Sequence, residues 1–288
     1  MTDKAQHSIF LQINKLKNLP ALPEVSLKIL DAINDPEISI DKLADLLSMS
    51  PGLVARLLGL ANSAYFSQSK QVSDLPTAIY QVLGMDLVKS LALSIVLNVQ
   101  LDTAKCRGFN TEYFWMRSLL TAVTAQKIAN NQNLTQFSPG TIYTSGLLLY
   151  IGVLVLAFLM PKELNDILNR SNMNGTRAGD EIRLELGASH FRVGFVLMQK
   201  WQVSPTYQTI LNYFEDPDFN GEERPLINIL TLSQHVSHML LDKNQVDFVQ
   251  LEEICEQLSL SQTNLPRIVD ELIENRQNIQ KLATILGN

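Results

Sequence analysis

The side chains of this 288-residue chain best suited to hold a metal or activate a nucleophile are four histidines and two cysteines. Cys106 and Cys255 lie far apart and form no CxxC pair, so neither a thiolate zinc site nor a disulfide framework is indicated, and a reducing cytoplasm is expected. His235 and His238 stand three apart on an expected helix, a spacing that puts both on one face. Two imidazoles with no neighbouring carboxylate or thiolate make an incomplete metal set. No GxSxG or Cys/His arrangement accompanies His190, and Gly84, Gly108 and Gly152 stand singly rather than in a phosphate-cradling loop. No metal and no cofactor are therefore expected.

The elements that must carry these residues read as helices. Apolar residues recur at helical spacing almost throughout and strand signals are nearly absent. Hydrophobic residues make up 46% of the chain and charged ones 18%, enough for a sizeable core. Pro23 opens the first helix and Asp35-Pro36 ends it; Ser39 and Ser50-Pro51 start the next two. Further helices are expected over 77–83, 86–100, 112–130, 146–160, 162–171, 179–186, 189–201, 205–214, 225–241, 251–258 and 264–286. Asn169 to Gly179 reads as the most loop-like interval, and 216–223 as a second break. Gly146 to Met160 is fifteen uncharged residues ending at Pro161, short of the roughly 20 that a spanning helix needs. A buried central helix is expected there, with no membrane span. Met1 to His7 lacks an apolar signal region, so secretion is not indicated.

Several segments, in order, resemble the HDOD family, the HD-related output domains. They are LPALPEVSLKILDAINDPEISIDKLADLLSMSPGLVARLLGLANSAYF (Leu19 to Phe66), TAIYQVLGMDLVKSLALS (Thr77 to Ser94), FW-x-R-S (Phe114 to Ser118), GLLLYIG (Gly146 to Gly152) and ELGASHFRVG (Glu185 to Gly194), followed by Trp201. The resemblance runs from about residue 19 to about 216. It implies an all-α, HD-domain-like bundle with an N-terminal helical layer. Residues 1–220 would form that domain, and 221–288 a C-terminal helical extension packed on it as one compact unit. Catalytic relatives in the HD superfamily bind metal through His and Asp residues on several helices. By the resemblance, the HD pair falls at Leu149-Tyr150, an earlier His at Arg117, a later His pair near Tyr213-Phe214, and a final Asp near Gln234. His190, in a segment that the family shares, is implied to be buried, hydrogen-bonded and structural.

Leucine binds no metal, a guanidinium repels one, and a neutral tyrosine or glutamine is a weak substitute for imidazole or carboxylate. The resemblance therefore implies a non-catalytic signal-transduction module, bacterial and cytoplasmic, acting through an unidentified protein partner. Arg117 has two readings: snorkelling to the helix surface, or taking over part of the lost ion's charge, which requires an anionic or carbonyl partner. In the second case the positions around Trp115, Arg117, Tyr150 and Tyr213 could bind a small anion. Two other function classes remain. One is a degenerate metal-dependent phosphohydrolase or cyclic-dinucleotide phosphodiesterase. The other is a helix-turn-helix DNA-binding regulator built on Ser39 to Asn62, or on Leu251 to Leu272 with Ser261 at its turn. Against DNA, the net charge is −6 with no basic run, and Leu53 to Ala61 offers only Arg56 to reach a base or phosphate. No nucleic-acid partner is expected.

Overall fold

A computed structural model describes residues 19–66, 71–243, 246–260 and 264–287. The chain is helical, and no strand occurs among the described residues. The expectations for Met1 to His7, for the first half of the loop from Ser67, and for a turn at Ser261 lie outside the described residues.

In chain order the helices are α1 (Glu24–Asn34), α2 (Ile40–Ser48), α3 (Pro51–Ala61), α4 (Leu75–Thr77), α5 (Met85–Val99), α6 (Thr111–Asn131), α7 (Pro139–Leu148) and α8 (Ile151–Leu159). They continue with α9 (Pro161–Asn174), α10 (Ala178–Leu186), α11 (His190–Lys200), α12 (Pro205–Tyr213), α13 (Arg224–His238), α14 (Phe248–Gln257), α15 (Leu265–Glu274) and α16 (Arg276–Gly287). Two π-helical segments interrupt the regular turns: Ala78–Leu83 after α4 and Met239–Lys243 after α13.

Local chemistry fixes the helix starts. Ser39 Oγ accepts from Lys42 N at 3.3 Å, Asp74 Oδ1 from Thr77 N at 2.8 Å, and Ser189 Oγ from Arg192 N at 3.3 Å. Each satisfies one amide that the first turn would otherwise leave without a partner. Pro51 and Pro161 sit in first turns, where a missing N–H costs nothing. Gly175 and Gly187 end α9 and α10 in left-handed conformations, φ 66° and 69°.

Three helix expectations need correction. The apolar run expected as one helix over 146–160 is divided between α7, which starts earlier at Pro139, and α8, with Leu149-Tyr150 as the break. Tyr150 sits at φ −99°, ψ 8°, and its carbonyl accepts from Val153 N at 2.9 Å, a tight turn that restarts the helix. The stretch expected as a loop from Asn169 is helical to Asn174, because Leu164, Ile167 and Ser171 keep one face buried. The single helix expected over 264–286 is broken at Asn275, whose amide side chain folds back to donate to Glu271 O at 2.9 Å. Taken together, Pro139–Leu159 is long and apolar enough to cross a membrane, but 83% of its most apolar window is buried within the protein.

The chain folds into two compact units that alternate along the sequence. The first contains the described residues up to Pro23, with Leu97–Asn110 and Leu149–Asp216. Here α8 crosses α11 at very short range. A Cβ at Gly152 would fall 1.7 Å from His190 O and 2.8 Å from Gly194 N, so only glycine allows that approach. The N-terminal Leu-Pro pair is tied to the same unit: Trp201 Nε1 donates to Pro20 O at 2.9 Å and Lys200 Nζ to Leu19 O at 2.8 Å.

The second unit contains Glu24–Val96, Thr111–Leu148 and Pro217–Asn288. Its axis is α6, which packs against α7, α13 and α16 and is buried on nearly every side. A Cβ at Gly146 would meet Ala122 Cα at 2.4 Å, so α7 and α6 also pass backbone against backbone. Hydroxyls satisfy one another in this core: Thr121 Oγ1 donates to Ser237 Oγ at 3.0 Å, and Thr144 Oγ1 to Ser90 Oγ at 2.6 Å. The α2–α3 pair, with its helix-turn-helix rhythm, buries Leu43, Leu47, Leu53, Leu57 and Leu60. Its apolar spacing thus faces the core.

Candidate functional site

The seven positions that the HD pattern marks are divided between the two units. Trp115, Arg117 and Gln234 belong to the second, and Leu149, Tyr150, Tyr213 and Phe214 to the first.

In the second unit Trp115 is 2% exposed on α6 and makes an edge contact with Phe114, ring centroids 5.3 Å apart. The last turn of α16 lies over its indole: a Cβ at Gly287 would be 3.6 Å from Trp115 Cδ1. Gln234 is half-buried on α13, and its carbonyl accepts from Ser237 Oγ at 3.0 Å.

Arg117 is engaged with charge and does not simply extend along the helix surface. Its Nη2 forms an ion pair with Asp242 Oδ2 and donates to Tyr113 OH. The guanidinium carbon lies 5.1 Å from the centroid of the Tyr113 ring, within cation–π range. Tyr113 OH in turn donates to Asp242 Oδ1, and His238 Nδ1–H donates to Asp242 Oδ2. Three side chains thus converge on one carboxylate. Burial alone would raise the Asp242 carboxyl; the hydrogen bond from His238, the Arg117 charge and the Tyr113 hydroxyl outweigh it and hold the group at about 2. Burial pushes the Tyr113 hydroxyl up to about 12, with Asp242 adding to the rise and Arg117 opposing it.

Sequence reasoning missed Tyr113 and Asp242. The signal was available in spacing: Tyr113 precedes Arg117 by four residues and Asp242 follows His238 by four, so each pair shares a helix face. The carboxylate that Arg117 needed as a partner comes from the π-helical turn, within which the helix expected over 225–241 ends, one residue before Asp242.

In the first unit Leu149 is fully buried. Tyr150, 4% exposed, stacks almost parallel on the His190 ring, with 6.0 Å between centroids and 8° between planes. His190 packs on Phe191 at 3.9 Å and Phe191 on Phe214 at 4.3 Å. Where the HD pattern would hold ligands there is an aromatic column. Tyr213, beside Phe214, is 36% exposed.

These residues do not fit a metal. Leu149 has no donor atom, Arg117 brings a positive charge already matched by Asp242, and His238 commits Nδ1 to that carboxylate. Among the described residues no group of three or more His, Cys, Asp or Glu is placed to hold an ion.

Comparison with known proteins agrees with the helical order. Residues 19–217 match the HDOD domain. A protein of Treponema pallidum (strain Nichols) with no described function is 28% identical over 231 residues, 76% of this chain; the chain spans 42% of that relative's length. An HDOD domain protein of unknown function from Geobacter sulfurreducens has the same fold, at TM-score 0.74 and 22% identity, with 98% of each chain covered. So does a protein of Marinobacter aquaeolei VT8 whose name proposes a part in signal transduction: TM-score 0.81, 20% identity, 99% of this chain and 67% of that one. A protein of Shewanella amazonensis SB2B, provisionally named a phosphohydrolase, matches at TM-score 0.77 and 21% identity, over 96% of this chain and 97% of its own. The match to the HDOD domain covers more than half of the sequence, and the chain belongs to the HDOD family.

Proposed function

We propose that this chain is a non-catalytic module of bacterial, cytoplasmic signal transduction that works by binding a protein partner. The observation that carries this reading is the state of Arg117. At the position where the HD pattern places a ligand stands a cation, neutralised within the protein by Asp242 and flanked by Tyr113 and His238. Leu149, buried and without a donor, removes the other half of the pattern. A centre that activates water on a metal needs an electron-rich set of ligands with an open coordination position, and these residues supply hydrophobic packing and a self-neutralised ion pair. Membership of the HDOD family, and the signal-transduction name of the Marinobacter aquaeolei protein, support the assignment to signalling. Helical bundles serve as partner-binding scaffolds without special chemistry.

The test is the transition-metal content of the full chain, purified without an affinity tag or chelator, with hydrolysis of cyclic dinucleotides and phosphate esters measured alongside. Substoichiometric zinc, iron and manganese with no turnover is the expected result. One or two equivalents of bound metal, or turnover that a chelator abolishes, overturns the reading.

A further inference from the structure

The Arg117 cluster has the donor composition of an anion site. A guanidinium, a phenol and an imidazole N–H, from positions 113 and 117 of α6 and 238 of α13, converge on both oxygens of a single carboxylate. The planar guanidinium matches carboxylate and phosphate oxygens, and charge-assisted bonds of this type are the stronger ones in proteins. The occupant is the protein's own Asp242, carried on the π-helical turn Met239–Lys243. π-helical turns are rare and are frequently found at functional sites.

Access does not require the core to open. The side chains of Arg117, Asp242 and His238 are 22%, 26% and 15% exposed, so solvent already reaches the ion pair. The nearest acidic neighbour on α6, Glu112, is turned to Gln280, whose Nε2 donates to it at 3.1 Å.

We propose that Arg117, Tyr113 and His238 form an oxyanion-binding site, and that Asp242 is its built-in, exchangeable occupant. A free phosphate or carboxylate group that takes the site releases the turn Met239–Lys243. A phosphate group competes well, since it brings more charge and a third oxygen to the same donors. This adds an input to the scaffold described above, and it rests on that reading only for its consequence in signalling. Metal content and turnover decide the scaffold reading; the experiment below decides this one, and either can fail alone.

The experiment compares the full chain with D242N and with the double variant D242N/R117M. Thermal unfolding is followed in chloride, inorganic phosphate and acetate at matched ionic strength and neutral pH. D242N removes the competing charge and leaves a neutral, weaker acceptor of the same size in its place. Its midpoint is expected to rise by about 3–6 °C once the anion is at ten times its dissociation constant. The double variant shows only the general effect of phosphate on hydration, which is subtracted. A shift with phosphate alone assigns the site to phosphate groups, and a shift with both anions assigns it to oxyanions generally. In the unmodified protein, amide hydrogen exchange of Met239–Lys243 is expected to accelerate with the same anion while α6 stays protected. This second measurement stands if D242N fails to fold. No anion-specific shift in D242N, or unchanged exchange of the turn in the unmodified protein under phosphate and acetate, overturns the proposal.

Discussion

Replacing Gly152 by alanine tests the closest helix crossing in the first unit. The added methyl would lie 1.7 Å from His190 O, 2.7 Å from His190 C and 2.8 Å from Gly194 N. Ordinary contact at a Cβ begins at 3.4 Å, so α8 and α11 must separate by more than 1.5 Å. All three atoms are backbone and none can rotate aside. Overpacking a tight core costs about 1–3 kcal/mol and sometimes more; with no flexible neighbour to absorb the strain, about 3 kcal/mol or above is expected here. That corresponds to a midpoint lowered by about 6–12 °C. Separation also pulls Tyr150 off His190, weakening an aromatic contact worth about 1 kcal/mol. Gly52→Ala in α3 is the control. Nothing lies within 4 Å of its added methyl, and alanine raises helix propensity there, so the midpoint should stay or rise by a degree or two, about 0.5 kcal/mol. Both variants are measured by far-UV circular dichroism, with urea unfolding as a check on reversibility. A G152A protein that melts within about 2 °C of the parent refutes the crossing geometry.

Other perturbations have equally definite outcomes. Leu149→Asp buries an unpaired carboxylate at a fully enclosed position, and soluble, folded protein should be lost; recovery of a monodisperse, cooperatively melting variant counts against the placement of Leu149. Asp242 is depressed from 3.8 to about 2, so its contribution to stability is fully present above pH 4 and disappears as pH falls toward 2. Solvent screening of this partly exposed pair limits that contribution to about 1 kcal/mol. Urea titrations between pH 5 and pH 2 should show a steeper loss for the parent than for D242N, and parallel curves would contradict the pairing. Ser189→Ala removes the cap on α11 and should cost about 1 kcal/mol in the same assay; a change below about 0.3 kcal/mol would mean that the cap is not formed.

The helices were legible in the sequence because capping and periodicity are local. Ser39, Pro51 and Ser189 each start a helix for reasons contained within four residues. Boundaries failed where tertiary packing overrides local preference. Leu149-Tyr150 carries no breaker residue, yet the chain turns there, passing from the second unit to the first. Polar Asn169 to Asn174 looks like a loop, yet its few apolar positions suffice to hold a helical face down. That Leu149 and Arg117 are not themselves metal ligands was legible from residue type alone. The partner of Arg117 was not, because Asp242 lies 125 residues away and only the packing of α13 beside α6 brings it within reach. The role of Gly152 was likewise hidden: a single glycine in an apolar run gives no sign that another helix's carbonyl rests against it.

The alternation of the two units along the chain bears on how the protein is made. During synthesis from the N-terminus, everything that the first unit requires has emerged once Asp216 is out. The second unit cannot close then. Its axial helix α6 was made well before, but two of the surfaces that cover it, α13 and α16, are translated only after Asp216. For that interval a largely apolar helix bearing Phe114, Trp115, Leu119 and Leu120 stands without its final cover. At ribosomal rates of roughly 5–20 residues per second the interval lasts several seconds. A nascent chain arrested within it is a natural client for holding chaperones, and C-terminal truncation should yield aggregation rather than a smaller working domain.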